Sequence, residues 1–222
     1  MKLVIFDVDG TLVDSQRDIL ASMAAAFSGQ GLAVPSDEAI REIVGLSLPV
    51  AMDRLAPAGV DAAALDALVA GYKSAYAALR VRNGAAGSPL FPGARAALDR
   101  LAADPTVRLA IATGKSRRGL DGLIAAHGLA DLFVSTQVAD DHPSKPHPAM
   151  VLACLAETGI AAADAVMVGD TEFDIDMGRA AGIRTIGVRW GYHPANRLSR
   201  ADGLIDRFAA LDSALARIWG NA

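Results

Sequence analysis

The chain has 222 residues, of which 52% are hydrophobic, and its formal net charge is -4, so it is long enough for one large domain or two small ones. The negative charge argues against general nucleic-acid binding, and no apolar run reaches the roughly eighteen residues of a membrane span. A signal peptide is not expected, because the apolar stretch after Lys2 is short and runs into aspartates, and the single cysteine, Cys154, excludes an internal disulfide. These features predict a cytoplasmic protein that binds neither nucleic acid nor membranes.

Residues 3–6 form an apolar run rich in β-branched and aromatic side chains, which predicts a buried strand. The run stops at Asp7, and Asp9 and Gly10 follow, which places two carboxylates where open α/β sheets bind ligands. Gly10 allows a ligand to approach the chain closely. Taken alone, the aspartates are equally compatible with a polar turn. A calcium loop fits less well, because an EF-hand needs a third ligand before its glycine and a preceding helix.

The pattern of residues 15 to about 85 predicts four helices and no strand. Ser15, followed three residues later by an acid, is expected to cap the first helix, and Ser36 is expected to cap the second. A third, short helix is predicted at residues 49–55. An apolar stripe that ends at Tyr76 predicts the fourth.

After a segment dense in glycine and proline at residues 83–93, helices and strands alternate. This alternation is typical of a parallel sheet covered by helices on both faces. We therefore predict an α/β fold, a Rossmann-like doubly wound parallel sheet, with an all-helical segment inserted after its first strand. The later strands are predicted at residues 107–113, 132–136, 165–169 and 184–188, preceded by helices at residues 94–103, 117–127, 148–158 and 174–181.

The strand predicted at residues 107–113 ends in a hydroxyl and a free backbone N–H, from Thr113 and Gly114. Both groups suit a phosphoryl oxygen, although an ordinary helix cap has the same residues. The sequence Thr-Gly-Lys-Ser is not a Walker A loop here, because that motif needs glycine where this chain has Leu109.

Two further strands are followed by charged residues. Lys145 precedes Pro146 in a proline-rich loop and, considered alone, is most simply a surface lysine. Asp170 directly follows the strand at residues 165–169, and Asp174 lies where an acid also favours a helix N-terminus. Each of these residues could have a purely structural role. The informative feature is their order along the chain: the two aspartates follow the first strand, Thr-Gly the second, Lys-Pro the third and Gly-Asp the fourth.

This joint pattern resembles the haloacid dehalogenase-like superfamily of phosphohydrolases, and most closely its phosphoglycolate phosphatase branch. The resemblance covers the whole chain and implies an α/β core at residues 1–14 and 86–222 with an α-helical cap at residues 15–85. It rests on the motifs FDVDGTLVDS at residues 6–15, TGK at 113–115, KPHP at 145–148 and VGDTEFD at 168–174.

The resemblance implies phosphate ester hydrolysis through an aspartyl-phosphate intermediate. Asp7 would attack phosphorus, and Asp9 would protonate the leaving oxygen and later deprotonate the attacking water. Thr113 and the Gly114 N–H would bind phosphoryl oxygens, and Lys145 would neutralise negative charge.

The resemblance also implies Mg²⁺ as the cofactor, because two carboxylates and a phosphate dianion repel one another without a cation. The expected protein ligands are Asp7, the backbone carbonyl of Asp9, and Asp170. Asp174 would hold a water on the metal or orient Lys145.

Substrate choice is expected to lie in the cap, where Gly45, Leu46 and Ser47 resemble the substrate-specificity loop of the family. Arg41, one helical turn earlier, is the expected partner for the carboxylate of a small phosphorylated acid such as 2-phosphoglycolate. A phosphomutase of the β-phosphoglucomutase type needs the same core and remains an alternative, as does a non-catalytic binding module on this fold. The expected partner is a small-molecule phosphate ester, and the expected assembly is a monomer or homodimer.

Overall fold

A six-stranded sheet lies at the centre of the computed structural model, which describes residues 1–220. Its strands lie in the order β3-β2-β1-β4-β5-β6, and all neighbouring pairs are parallel. This arrangement confirms the predicted doubly wound α/β fold. The strands are β1 (Lys2–Phe6), β2 (Val107–Thr113), β3 (Phe133–Val138), β4 (Ala165–Gly169), β5 (Arg184–Val188) and β6 (Gly203–Ile205).

Helices connect the first five strands, and four of them lie consecutively between β1 and the next sheet-covering helix. Within residues 1–220 no helix has the length and apolar character needed to cross a membrane. The helices are α1 (Gln16–Gly29), α2 (Asp37–Ile43), α3 (Leu48–Leu55), α4 (Ala62–Asn83), α5 (Ala94–Ala103), α6 (Arg117–His127), α7 (Ala149–Thr158), α8 (Glu172–Ala180) and α9 (Leu211–Ile218).

β1 is buried on both faces, which explains its continuous apolar sequence. Val4 and Phe6 pack into the hydrophobic cluster on one side of the sheet, whereas Leu3 and Ile5 pack into the cluster on the other side. Phe6 is level with a residue of β2 on one side and of β4 on the other. The carboxyl ends of these three strands therefore meet, and the groups that follow them converge.

Helices α1 to α4 have a hydrophobic cluster of their own. Met23, Phe27, Met52 and Leu68 are fully buried in it. Phe173 of α8 packs into the same cluster, so the inserted helices contact the sheet-covering layer close to the carboxyl end of β4.

The helices begin only in part where the sequence analysis predicts. Ser36 caps α2 as predicted, by accepting a hydrogen bond from the backbone N–H of Ala39. The prediction that Ser15 caps α1 was wrong, because its hydroxyl donates to Asp9 instead of accepting from the helix. Helix α8 begins at Glu172, two residues earlier than predicted, because Thr171 and Asp174 form a capping box.

Two elements near the end of the described chain were not predicted. The three residues of β6 are too few to give a recognisable alternation. β6 is a strand because it pairs with β5, a contact that local sequence does not encode. Helix α9 follows it and packs its apolar face on the same side of the sheet.

Candidate active site

Three buried carboxylates meet at the carboxyl ends of β1 and β4. Asp7 directly follows β1, Asp170 directly follows β4, and Asp174 lies in the first turn of α8. Each exposes 1% of its surface or less. One carboxylate oxygen from each lies within 4.8 Å of the others. The strand order thus brings together three of the residues that the sequence analysis selected.

Glycines make the space in which these carboxylates sit. A Cβ atom on Gly10 would lie 2.2 Å from Oδ2 of Asp170, and one on Gly191 would lie 2.2 Å from the Cβ atom of the same aspartate. Gly10 also has a φ of +87°, which L side chains rarely adopt. On the other side, a Cβ atom on Gly169 would lie 2.3 Å from the Cβ atom of Asp174.

Lys145 is buried between two of these carboxylates, contrary to its interpretation as a surface residue when considered alone. Its ammonium donates to Oδ1 of Asp7 at 2.7 Å and to Oδ1 of Asp174 at 2.6 Å. Burial by itself would lower the pKa of Lys145, but Asp174 and Asp7 outweigh burial and raise the pKa. Lys145 is therefore a fixed cation beside Asp7.

Only one of the two carboxylate oxygens of Asp7 has a hydrogen-bond partner among the described residues. Oδ1 accepts from Lys145, whereas the buried Oδ2 has no hydrogen-bond partner among the described residues. Burial, opposed in part by Lys145, raises the pKa of Asp7 from 3.8 to about 7. An unpaired buried carboxylate oxygen is costly, so Oδ2 calls for a partner that residues 1–220 do not supply.

The donor set suits a hard divalent cation. Burial and the nearby charges of Asp174 and Asp7 raise the pKa of Asp170 well above its usual value. Asp7, Asp170 and Asp174 together carry three negative charges when ionised, against the single positive charge of Lys145. An oxygen-only cluster with excess negative charge and the free Oδ2 of Asp7 fits Mg²⁺.

Two residues that sequence reasoning missed hold Asp170 in place. The hydroxyl of Thr11 donates to Oδ1 at 2.8 Å, and the backbone N–H of Tyr192 donates to Oδ2 at 2.9 Å. Thr11 belongs to the first motif, so its place in the sequence was a usable signal. Tyr192 lies in a loop after β5 and offered none.

Asp9 does not join the three clustered carboxylates, and its side chain binds Lys115. The ammonium of Lys115 donates to both carboxylate oxygens of Asp9, at 2.8 and 2.9 Å, and to the hydroxyl of Tyr76 at 3.0 Å. Burial would lower the pKa of Lys115, but Asp9 and Tyr76 raise it. Lys115, quoted in the sequence only as part of a motif, thus connects Asp9 to helix α4.

The turn after β2 lies against the backbone that follows α2. Thr113 is buried, and its hydroxyl accepts from the backbone N–H of Lys115 at 3.2 Å. A Cβ atom on Gly114 would lie 2.7 Å from the carbonyl oxygen of Leu46, closer than a real side chain allows. Gly114 therefore lets the loop at residues 45–47 lie close to the turn after β2.

The same loop has two further contacts near the site. The backbone N–H of Ser47 donates to the hydroxyl of Ser144, one residue before Lys145, at 2.9 Å. Gly45 has a φ of +100°, and a Cβ atom on it would lie 3.1 Å from Oγ1 of Thr171. The three loop residues selected from the sequence therefore lie against three of the strand-end loops.

A cavity of about 900 Å³ opens above Asp7 and Asp9. Gly45, Leu46 and Ser47 line it, together with Thr113 and Gly114. Arg41, the residue that we expected to bind a substrate carboxylate, does not line this cavity, to which α2 contributes only Ile43. The basic residues that do line it are Lys73, Arg80, Lys115 and Arg118.

Sequence comparison relates this chain to hydrolases and phosphatases. The sequence model of the family described as haloacid dehalogenase-like hydrolase matches residues 4–188. A protein named "Probable phosphatase IndB" from Dickeya dadantii is 35% identical over 211 residues, which cover 93% of this chain and 90% of that protein. A phosphoglycolate phosphatase from Pectobacterium atrosepticum is 32% identical over 208 residues, which cover 92% of this chain and 88% of that protein.

The fold has close counterparts among solved structures. The crystal structure of a protein described as a predicted phosphoglycolate phosphatase from Haemophilus somnus 129PT superposes with a TM-score of 0.83 at 25% identity. The superposition covers 96% of this chain and 97% of that chain. The two proteins therefore share both the sheet and the inserted helices, in the same arrangement.

Proposed function

The chain belongs to the haloacid dehalogenase-like hydrolase family and is a phosphatase, and we propose that it hydrolyses a small-molecule phosphate monoester through a phosphorylated Asp7. The observation that carries this proposal is the half-satisfied carboxylate of Asp7. Lys145 fixes one oxygen at 2.7 Å, and the other oxygen has no partner among the described residues. A buried carboxylate held in this way is oriented and short of solvent, as a nucleophile should be.

The groups around Asp7 are suited to a phosphoryl group. The Thr113 hydroxyl and the Gly114 N–H would bind two of its oxygens, as expected from the motif. The ammonium of Lys145 would offset the negative charge that accumulates when Asp7 attacks. The ammonium of Lys145 is already beside Asp7 at 2.7 Å, so this charge needs little reorganisation during reaction.

We assign Asp9 as the acid that protonates the leaving oxygen and the base that later activates water. Lys115 donates to both oxygens of Asp9 in this structure. An acid needs one oxygen free to carry the proton, so Lys115 must leave at least one Asp9 oxygen before the first step. Tyr76, the other partner of Lys115, lies on α4, which connects this change to the inserted helices.

We assign Asp7, Asp170, Asp174 and the backbone carbonyl of Asp9 as the protein's contribution to a Mg²⁺ site. When bound, Mg²⁺ would screen the carboxylates from one another and stabilise charge on the phosphoryl oxygens. Asp174 has a second role in this assignment, because it orients Lys145 at 2.6 Å.

We propose further that residues 15–85 act as a cap over a core made of residues 1–14 and 86–222. The separate hydrophobic cluster of α1 to α4 and the contacts of residues 45–47 with the core loops support this division. A cap restricts the substrate to small molecules and excludes water during reaction. The phosphoglycolate phosphatases among the relatives make 2-phosphoglycolate the first compound to test.

The test is a hydrolysis screen over small phosphate esters with Mg²⁺, run on the wild type, Asp7→Asn and the control Asp131→Asn. Asp131 is exposed and does not line the cavity. We expect phosphate release by the wild type and the control, and none by Asp7→Asn. Conversion of β-glucose 1-phosphate to its 6-phosphate isomer with little phosphate release would instead identify a phosphomutase, and no turnover of any ester would favour a binding module.

A further inference from the structure

The cavity above Asp7 is much larger than a two-carbon phosphate ester requires. Its volume of about 900 Å³ equals the space that ~30 water molecules occupy in the liquid. Pockets near this size enclose drug-sized ligands. A glycolate leaving group would leave most of the volume to water.

Residues of α4 and α6 form part of the cavity lining, and we call the space beside them the groove between α4 and α6. Gly119, Gly122 and Ala126 line it from α6, at the spacing of one helix face. A Cβ atom on Gly122 would meet nothing within 4 Å. Because these three residues carry so little side-chain volume, they leave the groove open beside them.

On the opposite wall, α4 presents Tyr76 and Arg80, which are four residues apart on one face. Tyr76 bonds Lys115, whose ammonium is already shared with Asp9. Arg80 lies about 6 Å further along the helix axis than Tyr76. Its Nη1 atom is buried and has no hydrogen-bond partner among the described residues.

A buried guanidinium nitrogen without a partner is costly, and an anion is the partner that best offsets the cost. Arg118, which lines the same groove from α6, adds a second positive charge. Within the described lining, the carboxylates are Asp7, Asp9 and Asp140, and the first two serve the phosphoryl site.

We propose that this groove receives an extended leaving group, several bonds longer than glycolate, whose far end carries a second anionic group bound by Arg80. The inference rests on the proposed phosphatase function and names its substrate class, a phosphate monoester with a distal carboxylate or phosphate. Asp7 and Asp9 act on the phosphoryl end, while the groove between α4 and α6 selects for length and for terminal charge.

The experiment compares kcat/KM for four esters with Mg²⁺: 2-phosphoglycolate, 6-phosphohexanoate, hexane-1,6-diol bisphosphate and 6-hydroxyhexyl phosphate. The wild type should prefer the two long anionic esters over both others, and the better of the two identifies the terminal group. In Arg80→Met the preference of long anionic over long neutral ester should fall about tenfold to a hundredfold. The control is Arg82→Met, because Arg82 is exposed on the same helix and does not line the cavity.

A second variant tests length independently of charge. Gly122→Leu fills the groove, so the ratio of long to short ester turnover should fall in it. Ala125→Leu, at an exposed position of α6 outside the cavity lining, should keep the wild-type ratio. A wild type that turns over 2-phosphoglycolate as well as every long ester, or unchanged ratios in Arg80→Met and Gly122→Leu, would overturn the proposal.

Calorimetric binding of the non-hydrolysable phosphonate analogues separates this inference from the proposed function. Preferential binding of long anionic analogues without turnover of any ester would retain the groove and overturn the phosphatase proposal. Turnover without any preference for length and charge, in rate or in binding, would retain the phosphatase proposal and overturn the groove. If the protein shows no binding preference and no turnover, both proposals are overturned.

Discussion

The ammonium of Lys145 lies 2.7 Å from Oδ1 of Asp7, although the two residues are 138 positions apart in the sequence. Both side chains are fully buried. Removing one partner of a buried pair leaves the other charge uncompensated, which typically costs about 3–5 kcal/mol. Lys145 is also the cation nearest the proposed nucleophile.

We therefore expect Lys145→Met to lower both stability and rate. Its melting temperature in metal-free buffer should fall clearly, and kcat with Mg²⁺ should drop by about 10²–10³. Lys2→Met is a matched control, because the pair between Lys2 and Asp164 is partly exposed and contributes about 0–1 kcal/mol. Equal effects of the two substitutions on the melting temperature would contradict the special role of Lys145.

The second prediction concerns the metal. Chelation should abolish hydrolysis, and Mg²⁺ should restore it, whereas Ca²⁺ should bind but support little turnover because its coordination is larger and looser. Mg²⁺ should also raise the melting temperature of the wild type by mass action. The increase should be lost in Asp170→Asn and kept in Asp66→Asn, which alters an exposed residue of α4. Full activity in metal-free buffer would remove the metal from the mechanism.

The third prediction is a pH dependence of stability in metal-free buffer. Burial, opposed in part by Lys145, raises the pKa of Asp7 from 3.8 to about 7. Between these two pH values the folded protein holds a proton that the unfolded chain has released, so this carboxyl contributes less stability as the pH rises. Asparagine at position 7 cannot ionise and lacks this contribution.

The measurement is the melting temperature of the wild type minus that of Asp7→Asn, followed from about pH 4.5 to about pH 7.5. The difference should become smaller or more negative as the pH rises, by a few °C. Carboxylates that do not interact with Asp7 affect both proteins equally and cancel. The charge of Asp7 also raises the pKa of Asp170, so the difference reports these two interacting carboxyls together. A difference that does not change with pH would show that the pKa of Asp7 is not raised.

The fourth prediction concerns the contact between Gly114 and Leu46. In Gly114→Ala the new methyl group would lie 2.7 Å from the Leu46 carbonyl oxygen, so the loop at residues 45–47 must shift. A displacement of about 1 Å near a reacting group costs up to about a hundredfold in rate, and we expect kcat/KM to fall by ten- to a hundredfold. Gly29→Ala is the control, because its methyl group meets nothing within 4 Å. Unchanged kinetics in Gly114→Ala would separate this loop from the site.

The strand-end aspartates were predictable because buried parallel strands have a recognisable local sequence. The apolar runs before Asp7 and Asp170 end abruptly, and neighbouring parallel strands bring their carboxyl ends to one edge. Once the strands were identified, the convergence of the two carboxylates followed from the fold class alone.

Other parts of the site depend on contacts that local sequence does not contain. Lys145 is most simply a surface residue when its loop is considered alone, and only its buried partners make it a fixed cation. Lys115 and Asp9 are 106 positions apart. Arg41 was chosen for its nearness in sequence to residues 45–47, whereas the groove is lined by Arg80, which is distant in sequence but opposite α6 in space.

The most direct test of the central claim is to locate the phosphoryl group on the protein. We propose to mix Asp9→Asn with an aryl phosphate and Mg²⁺, quench in acid within milliseconds, and identify the phosphorylated peptide by mass spectrometry. An acidic phenol leaves without protonation, whereas breakdown of the intermediate lacks its base, so the intermediate should accumulate. One phosphoryl group on Asp7, absent when Asp7→Asn is added to the variant, is the expected result. A phosphoryl group on another residue, or full turnover by Asp7→Asn verified as undeamidated, would contradict Asp7 as the nucleophile.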